Sequence, residues 1–131
     1  MTNQTLADDY LRRAKGRVRA IEVLLEDGLY ADVVREAQEA CELALKAVIR
    51  KAGHSVPFSH EVSGTLTRIK ADLPAPVANA LDRLCEISKS MRRDRELAFY
   101  GSEDITPSEF YELSHARKAL DELKEVLRIV G

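Results

Sequence analysis

The chain has 131 residues, of which 45% are hydrophobic and 32% are charged, the ordinary balance of a globular domain. Its formal net charge of −2 at pH 7 and its pI of about 5.9 exclude a generally basic nucleic-acid coat protein. Any contact with phosphate would therefore have to come from a local cluster of basic residues. We expect one domain over residues 1–131.

The sequence contains no signal for a membrane or for secretion. No stretch approaches the roughly 18 consecutive apolar residues that a transmembrane helix needs, and residues 1–5 lack a basic region followed by an apolar one. We expect a cytoplasmic protein that makes no contact with a membrane. Cys41 and Cys85 lie inside apolar helical patterns without disulfide or metal-ligand spacing, and we predict that both are buried thiols.

The first half of the chain predicts two long helices. Residues 5–8 resemble a capping box, and apolar residues then recur with a helical period until Gly28. A second helix is predicted from about Ala31 to Ala52, with Glu42 and Lys46 as a favourable pair four residues apart. The opposite face of the first helix is basic and carries Arg12, Arg13, Lys15, Arg17 and Arg19.

The second half predicts three more helices. Ser59 is placed to cap a short helix that ends before Pro74, and Pro76 suits the first turn of a fourth helix that runs through Met91 into a cluster of arginines. Residues 106–109 (Thr-Pro-Ser-Glu) combine an N-cap, a first-turn proline and a capping-box glutamate, so a fifth helix is predicted from there to the C-terminus. The expected fold is all-α, an up-and-down bundle of four long helices plus one short helix.

The segment with the strongest functional pattern is residues 91–101 (MRRDRELAFYG), at the end of the fourth predicted helix. Arginine keeps its charge at any working pH and offers a fork of donors that suits phosphate, so the cluster is a candidate nucleotide or RNA contact. The alternative is a solvated face in which arginines and acids pair with each other. Tyr100 likewise either covers the helix end or offers its hydroxyl to a partner.

Other kinds of site are poorly supported. The three histidines lie in a loop (His54), at a helix start (His60) and within a helix (His115), without zinc-ligand spacing, and the isolated glycines form no phosphate-binding loop. His60 could act as a general base or as a partial helix cap. Ser59, His60 and Glu61 are adjacent in sequence and do not form a catalytic triad. We predict no metal site and no cofactor.

Four segments resemble the HEPN family (higher eukaryotes and prokaryotes nucleotide-binding). They are residues 29–32, 37–47, 58–61 and 93–100, and the resemblance covers nearly the whole chain. In the ribonuclease members the motif is an arginine, a polar residue, three further positions, a histidine, one more position and often a tyrosine. By resemblance, these positions correspond to Arg93, Asp94, Ala98 and Tyr100. Alanine stands at the histidine position, and it cannot transfer a proton.

The resemblance implies that Arg93, Asp94, Arg95 and Tyr100 bind nucleotide or RNA. A shifted register would use Arg95 with Tyr100 in the place of the histidine, but a phenol is a poor base at neutral pH. His60 and His115 are further imidazoles that helix packing could bring near Arg93.

The resemblance also implies partners, namely a homodimer and a minimal nucleotidyltransferase in a toxin–antitoxin type of system that modifies Tyr100 with AMP. One hypothesis is therefore a non-catalytic or weakly catalytic binding module. The alternative is a metal-independent ribonuclease toxin that uses Arg93 with a non-standard proton-transfer group. The C-terminal helix supports a dimer because it has apolar residues on more than one side: Val126, Leu127, Ile129 and Val130.

Overall fold

The computed structural model describes residues 2–57 and 62–131, and for residues 93–99 it describes the backbone alone. The described chain is helical, and no strand occurs in it. Ser59, the predicted cap of the short helix, and His60, for which a general-base role and a partial cap were the alternatives, lie outside the described residues. The helices are α1 (Asn3–Glu26), α2 (Tyr30–Lys51), α3 (Val62–Arg68), α4 (Ala75–Asn79), α5 (Leu81–Tyr100), α6 (Pro107–Phe110) and α7 (Leu113–Val130), with a 3₁₀ turn at Lys70–Asp72.

Four long helices, α1, α2, α5 and α7, form the up-and-down bundle that the sequence predicts, with α2 in contact with the other three. Alanines 37, 40 and 44 on α2 are completely buried, which allows close packing of the neighbouring helices. Large, fully buried side chains come from every long helix and include Ile21, Leu45, Leu84 and Leu123. Each such burial contributes roughly 1.5–3 kcal/mol.

The first helix begins earlier than predicted. Thr2 is its N-cap, and the Thr2 hydroxyl accepts a hydrogen bond from the backbone N–H of Thr5 at 3.1 Å. Threonine is a good N-cap at position 2 or at position 5, and capping by Thr2 makes the helix about one turn longer. The predicted end is confirmed at Gly28, which has a φ of +76°.

The predicted fourth helix is divided in two at Ala80, between α4 and α5. The backbone N–H of Ala80 donates to the carbonyl of Val77, three residues back, instead of four. Val77 and Leu81 lie on either side of this turn, and both are buried in the core, where each is 4% exposed. Pro76 lies in the first turn of α4, as predicted.

The predicted fifth helix is also divided. Thr106 caps α6 by accepting from the N–H of Glu109 at 3.2 Å, as predicted, but α6 ends at Phe110. Tyr111 and Glu112 are extended, and α7 then begins with its own capping box, formed by Glu112 and His115. The break buries Tyr111, which is 4% exposed. The part of the chain described here thus has two short helices, α4 and α6, beyond the predicted α3.

Two packing predictions need correction. Val126 is buried, and Leu127, Ile129 and Val130 pack against the core of the same chain, so α7 has no separate apolar face. Cys41 is buried as predicted, whereas Cys85 is half-buried, and both thiols are free. Among the described residues, no helix combines the length and apolar character that crossing a membrane requires.

Candidate functional site

The predicted site residues Arg93, Asp94 and Arg95 and the alanine at position 98 lie on the backbone of α5, in its last two turns. Their side chains are outside the described part of the structure, so the predicted contacts of Arg93, Asp94 and Arg95 stay predictions. Tyr100 is the last residue of α5, and 73% of its surface is exposed. The phenol ring is therefore accessible at the end of the helix that carries the arginines.

A tight turn follows Tyr100 and connects α5 to α6. Gly101 has a φ of +78°, and the N–H of Ser102 donates to the carbonyl of Ile105 at 3.0 Å. A Cβ atom at position 101 would lie 2.7 Å from that carbonyl oxygen and 2.8 Å from Cδ of Pro107. Only glycine fits this turn without strain, and the turn fixes the direction in which the chain leaves Tyr100.

Arg92 borders a small cavity between α2 and α5, which also receives Gln38, Cys41 and Glu42 from α2. Gln38 is 5% exposed, and its Nε2 atom donates to Glu42 at 3.2 Å. Its Oε1 atom is buried and has no hydrogen-bond partner among the described residues. The cavity measures about 10 Å³, which is close to the smallest volume that holds one water molecule.

A larger cavity of about 70 Å³ lies between α5 and α7, beside the turn of α5 that precedes Arg93. Its rim is polar, since His115 and Lys118 are exposed there and Ser90 is half-buried. Its floor is apolar apart from Glu122, which is 7% exposed. The lining residues are Val34, Ser90, Met91, Tyr111, His115, Lys118, Ala119 and Glu122.

His115 is held in one orientation by the start of α7. Its Nδ1 atom accepts a hydrogen bond from the backbone N–H of Glu112 at 2.9 Å, so the proton of the neutral ring lies on Nε2. The imidazole stacks on Phe110 with 5.7 Å between ring centroids and 17° between planes, and it meets Tyr111 edge to face. The sequence prediction placed His115 within a longer helix. The capping box of Glu112 and His115 is the sequence signal that marks the start of a separate helix there.

Glu122 and Cys41 have perturbed acidities for the same reason. Burial raises the pKa of Glu122, and the positive charges of Lys118 and Arg83 lower it in part. Burial raises the pKa of the Cys41 thiol to about 12, and the negative charges of Glu122 and Glu42 add to the shift. Cys41 is therefore a neutral thiol in the core, and it is not a nucleophile near neutral pH.

The basic face of α1 is partly neutralised by α2. Arg17 pairs with Glu39 at 3.3 Å and lies 4.0 Å from Glu36, and Arg35 pairs with the same two glutamates. The predicted pair of Glu42 and Lys46 is confirmed at 2.9 Å. This surface alternates in sign, which is typical of a structural face and not of a phosphate-binding one.

Comparison with known proteins gave one result. Neither the curated proteins nor the solved structures include a match to this chain. A family model described as HEPN domain matches residues 7–131, essentially the whole chain. This agrees with the all-α bundle and with the segment resemblance found in the sequence. The chain belongs to the HEPN family.

Proposed function

We propose that this HEPN domain binds a nucleotide or RNA in the cytoplasm through Arg93, Asp94, Arg95 and Tyr100, and that it partners a minimal nucleotidyltransferase in a toxin–antitoxin type of system. Family membership supports the association with nucleotides or RNA in general. Alanine at position 98 supports binding with little or no catalysis, because the proton-transferring histidine of the ribonuclease members is replaced.

The observation that carries the proposal is the position of Tyr100. The residue is 73% exposed at the C-terminal end of α5, directly after the turns that carry Arg93 and Arg95. An enzyme that transfers AMP to a tyrosine needs access to the phenol oxygen, and this exposure provides it. The neighbouring arginines would supply positive charge for the phosphate of the incoming nucleotide.

The homodimer is part of the proposal, and HEPN domains commonly dimerise. The large exposed hydrophobic side chains of the described chain lie at one end of the bundle, where α1 and α5 end and α2 and α7 begin. They are Val23, Leu29, Tyr100, Phe110 and Leu113. Burying Val23, Leu29 and Leu113 against a second copy would remove their apolar surface from water, and it would leave Tyr100 open to the nucleotidyltransferase.

The test is direct binding, combined with modification of the tyrosine. Fluorescence anisotropy with a labelled single-stranded RNA should show binding by the natural chain and weaker binding by Arg93→Ala, with unchanged circular dichroism. Incubation with ATP and a minimal nucleotidyltransferase encoded beside the gene should add the mass of one AMP to the natural chain and none to Tyr100→Phe. Equal RNA binding by Arg93→Ala would remove Arg93 from the site.

A ribonuclease remains the second candidate, and the position of His115 favours it. His115 and Ser90 border the same cavity, and Arg93 follows Ser90 by three residues on α5. The imidazole is thus on the helix packed against the arginine-bearing one, where it could replace the histidine missing at position 98. Cleavage of a mixed RNA pool that is lost in both Arg93→Ala and His115→Ala would establish this activity. Cleavage only after Ala98→His would establish a vacated active site instead.

A further inference from the structure

Glu122 is an unpartnered carboxylate in the wall of a cavity. Only 7% of its surface is exposed, and it lies on the floor of the 70 Å³ cavity between α5 and α7. Among the described residues it makes no hydrogen bond and no ion pair, although its neighbour Glu125 one turn further along α7 is paired with Arg83. A buried carboxylate normally has partners, because losing hydration without replacing it destabilises the charged form.

The cavity opens to solvent through groups that suit a nucleotide. The rim has the His115 ring, stacked on the exposed Phe110, and the ammonium group of Lys118. Aromatic rings of this kind stack with unpaired bases, and a lysine beside them can meet a phosphate or a carbonyl oxygen. Ser90 borders the cavity from α5, one turn before Arg93 of the proposed site. The arrangement is an apolar slot with one strong acceptor at its base.

We propose that this cavity receives the Watson–Crick edge of a guanine, whose N1–H and N2–H groups donate to the two carboxylate oxygens of Glu122. The inference rests on the proposed binding of RNA or nucleotides, and it names the base and the residue that selects it. The cavity is too small for a whole purine, so the edge enters while the ring lies at the rim beside His115. Lys118 and the Nε2–H of His115 are placed to meet O6 or the adjacent phosphate.

The hydrogen-bonding pattern of a carboxylate separates the four bases. It has two acceptor oxygens and, when ionised, no donor. Guanine presents two adjacent donors. Adenine and cytosine each present one amino donor beside an acceptor nitrogen, which faces the second oxygen unfavourably, and uracil presents one N–H between two carbonyl oxygens. A bidentate pair of this kind discriminates against the wrong base by about tenfold or more.

The test uses labelled RNA decamers of uridine in which one central position is uridine, guanosine, inosine, adenosine or cytidine. Anisotropy titration of the natural chain should give about tenfold tighter binding for guanosine than for uridine. Inosine, which lacks the N2 amino group, should lose most of that gain. Glu122→Gln, which keeps the shape but removes the charge and one acceptor, should bind all five decamers within about twofold. Glu125→Gln, on the same helix, should keep the guanosine preference.

The outcomes separate this inference from the proposed function. If all decamers bind but guanosine has no advantage, or if Glu122→Gln keeps the advantage, the guanine site is overturned while RNA binding stands. If no decamer binds, RNA binding itself fails and the guanine site fails with it. The comparison of guanosine with inosine needs only the natural chain, so equal binding of the two overturns the guanine site even if Glu122→Gln does not fold.

Discussion

Arg83 of α5 and Glu125 of α7 form a bidentate salt bridge between their helices. Arg83 Nε donates to Glu125 Oε2 at 2.8 Å and Arg83 Nη2 to Glu125 Oε1 at 3.0 Å, while Nη1 donates to Glu86 at 2.9 Å. The hydrogen bonds from Arg83 lower the pKa of Glu125. Burial raises the pKa of Glu122 one turn away. The pKa values of two carboxylates on one helix are therefore shifted in opposite directions. Ionisation of Glu125 stabilises the fold, and ionisation of Glu122 destabilises it.

Glu125→Gln is expected to destabilise the fold at neutral pH. The folded pKa of Glu125 lies below its ordinary value of 4.5, so its contribution is present above that value and is lost as the pH falls through the folded pKa. The pair is partly exposed, and the loss should be roughly 0.5 kcal/mol. Urea denaturation at neutral and at acidic pH checks this, and a difference from the natural chain that persists at the lowest pH would contradict it.

Glu122→Gln is expected to stabilise the fold at neutral pH by roughly 1 kcal/mol, because it removes a buried charge without a partner. The charged groups that act on Glu122 are Lys118, Arg83, Glu125 and Glu86, and the first two reduce the gain. Since the folded pKa is raised, the natural chain loses stability as the pH rises from about 4.5 through that pKa, and the variant does not. The same urea series tests this. A less stable variant at neutral pH would mean that the charge of Glu122 has a partner in solution.

The bundle was predictable because the apolar period of four long helices is visible in the sequence, and Gly28 marks the end of the first of them. The breaks at Ala80 and at Tyr111 were not predictable from that period. The break at Tyr111 depends on tertiary packing, because it buries Tyr111 in the core. The apolar period continues across Ala80, so the sequence pattern joins α4 and α5 into one helix, whereas the break before α7 has a local signal in the capping box of Glu112 and His115.

Gly101→Ala is expected to destabilise the fold by about 2–3 kcal/mol, since it adds the strain of a positive φ to a collision with the Ile105 carbonyl. Gly28→Ala is the matched control. Gly28 has nearly the same φ, +76°, but an added Cβ meets nothing within 4 Å, so only the backbone strain of about 1 kcal/mol remains. Thermal unfolding of both variants measures the difference. Equal losses would mean that the turn after Tyr100 shifts freely to accept a side chain.

The two cysteines are expected to react with iodoacetamide at very different rates. Cys41 is 2% exposed and its pKa is about 12, so at mildly alkaline pH it is almost entirely the unreactive thiol. Cys85 is half-buried and should take up label first. Peptide mass spectrometry should find label on Cys85 alone in the folded protein and on both residues in urea. The Cys85→Ser variant should take up almost no label while it is folded. Rapid labelling of Cys41 in that variant would contradict this and show that α2 opens.

The candidate site was predictable only where it is continuous in sequence. The pattern in residues 91–101 identified the arginines and Tyr100 as candidates, and the exposure of Tyr100 agrees with a surface role. The cavity with Glu122 brings together three helices that are distant in sequence, through Val34, Ser90 and His115. In the sequence Glu122 is one of several acids on an amphipathic helix. Its distinctive property is the lack of a partner in a buried position, and only packing creates that.

Leu113→Asp is expected to convert the proposed dimer into a monomer. Leu113 is 38% exposed at the first position of α7, within the apolar end of the bundle. An acid there suits the positive end of the helix dipole, so the domain should still fold. Ser114→Asp is the matched control, because it adds the same charge one residue later at an exposed polar position. Light scattering should give half the mass for Leu113→Asp and an unchanged mass for Ser114→Asp. A natural chain that is already monomeric, or a Leu113→Asp variant that stays dimeric, would remove this end of the bundle as the dimer interface.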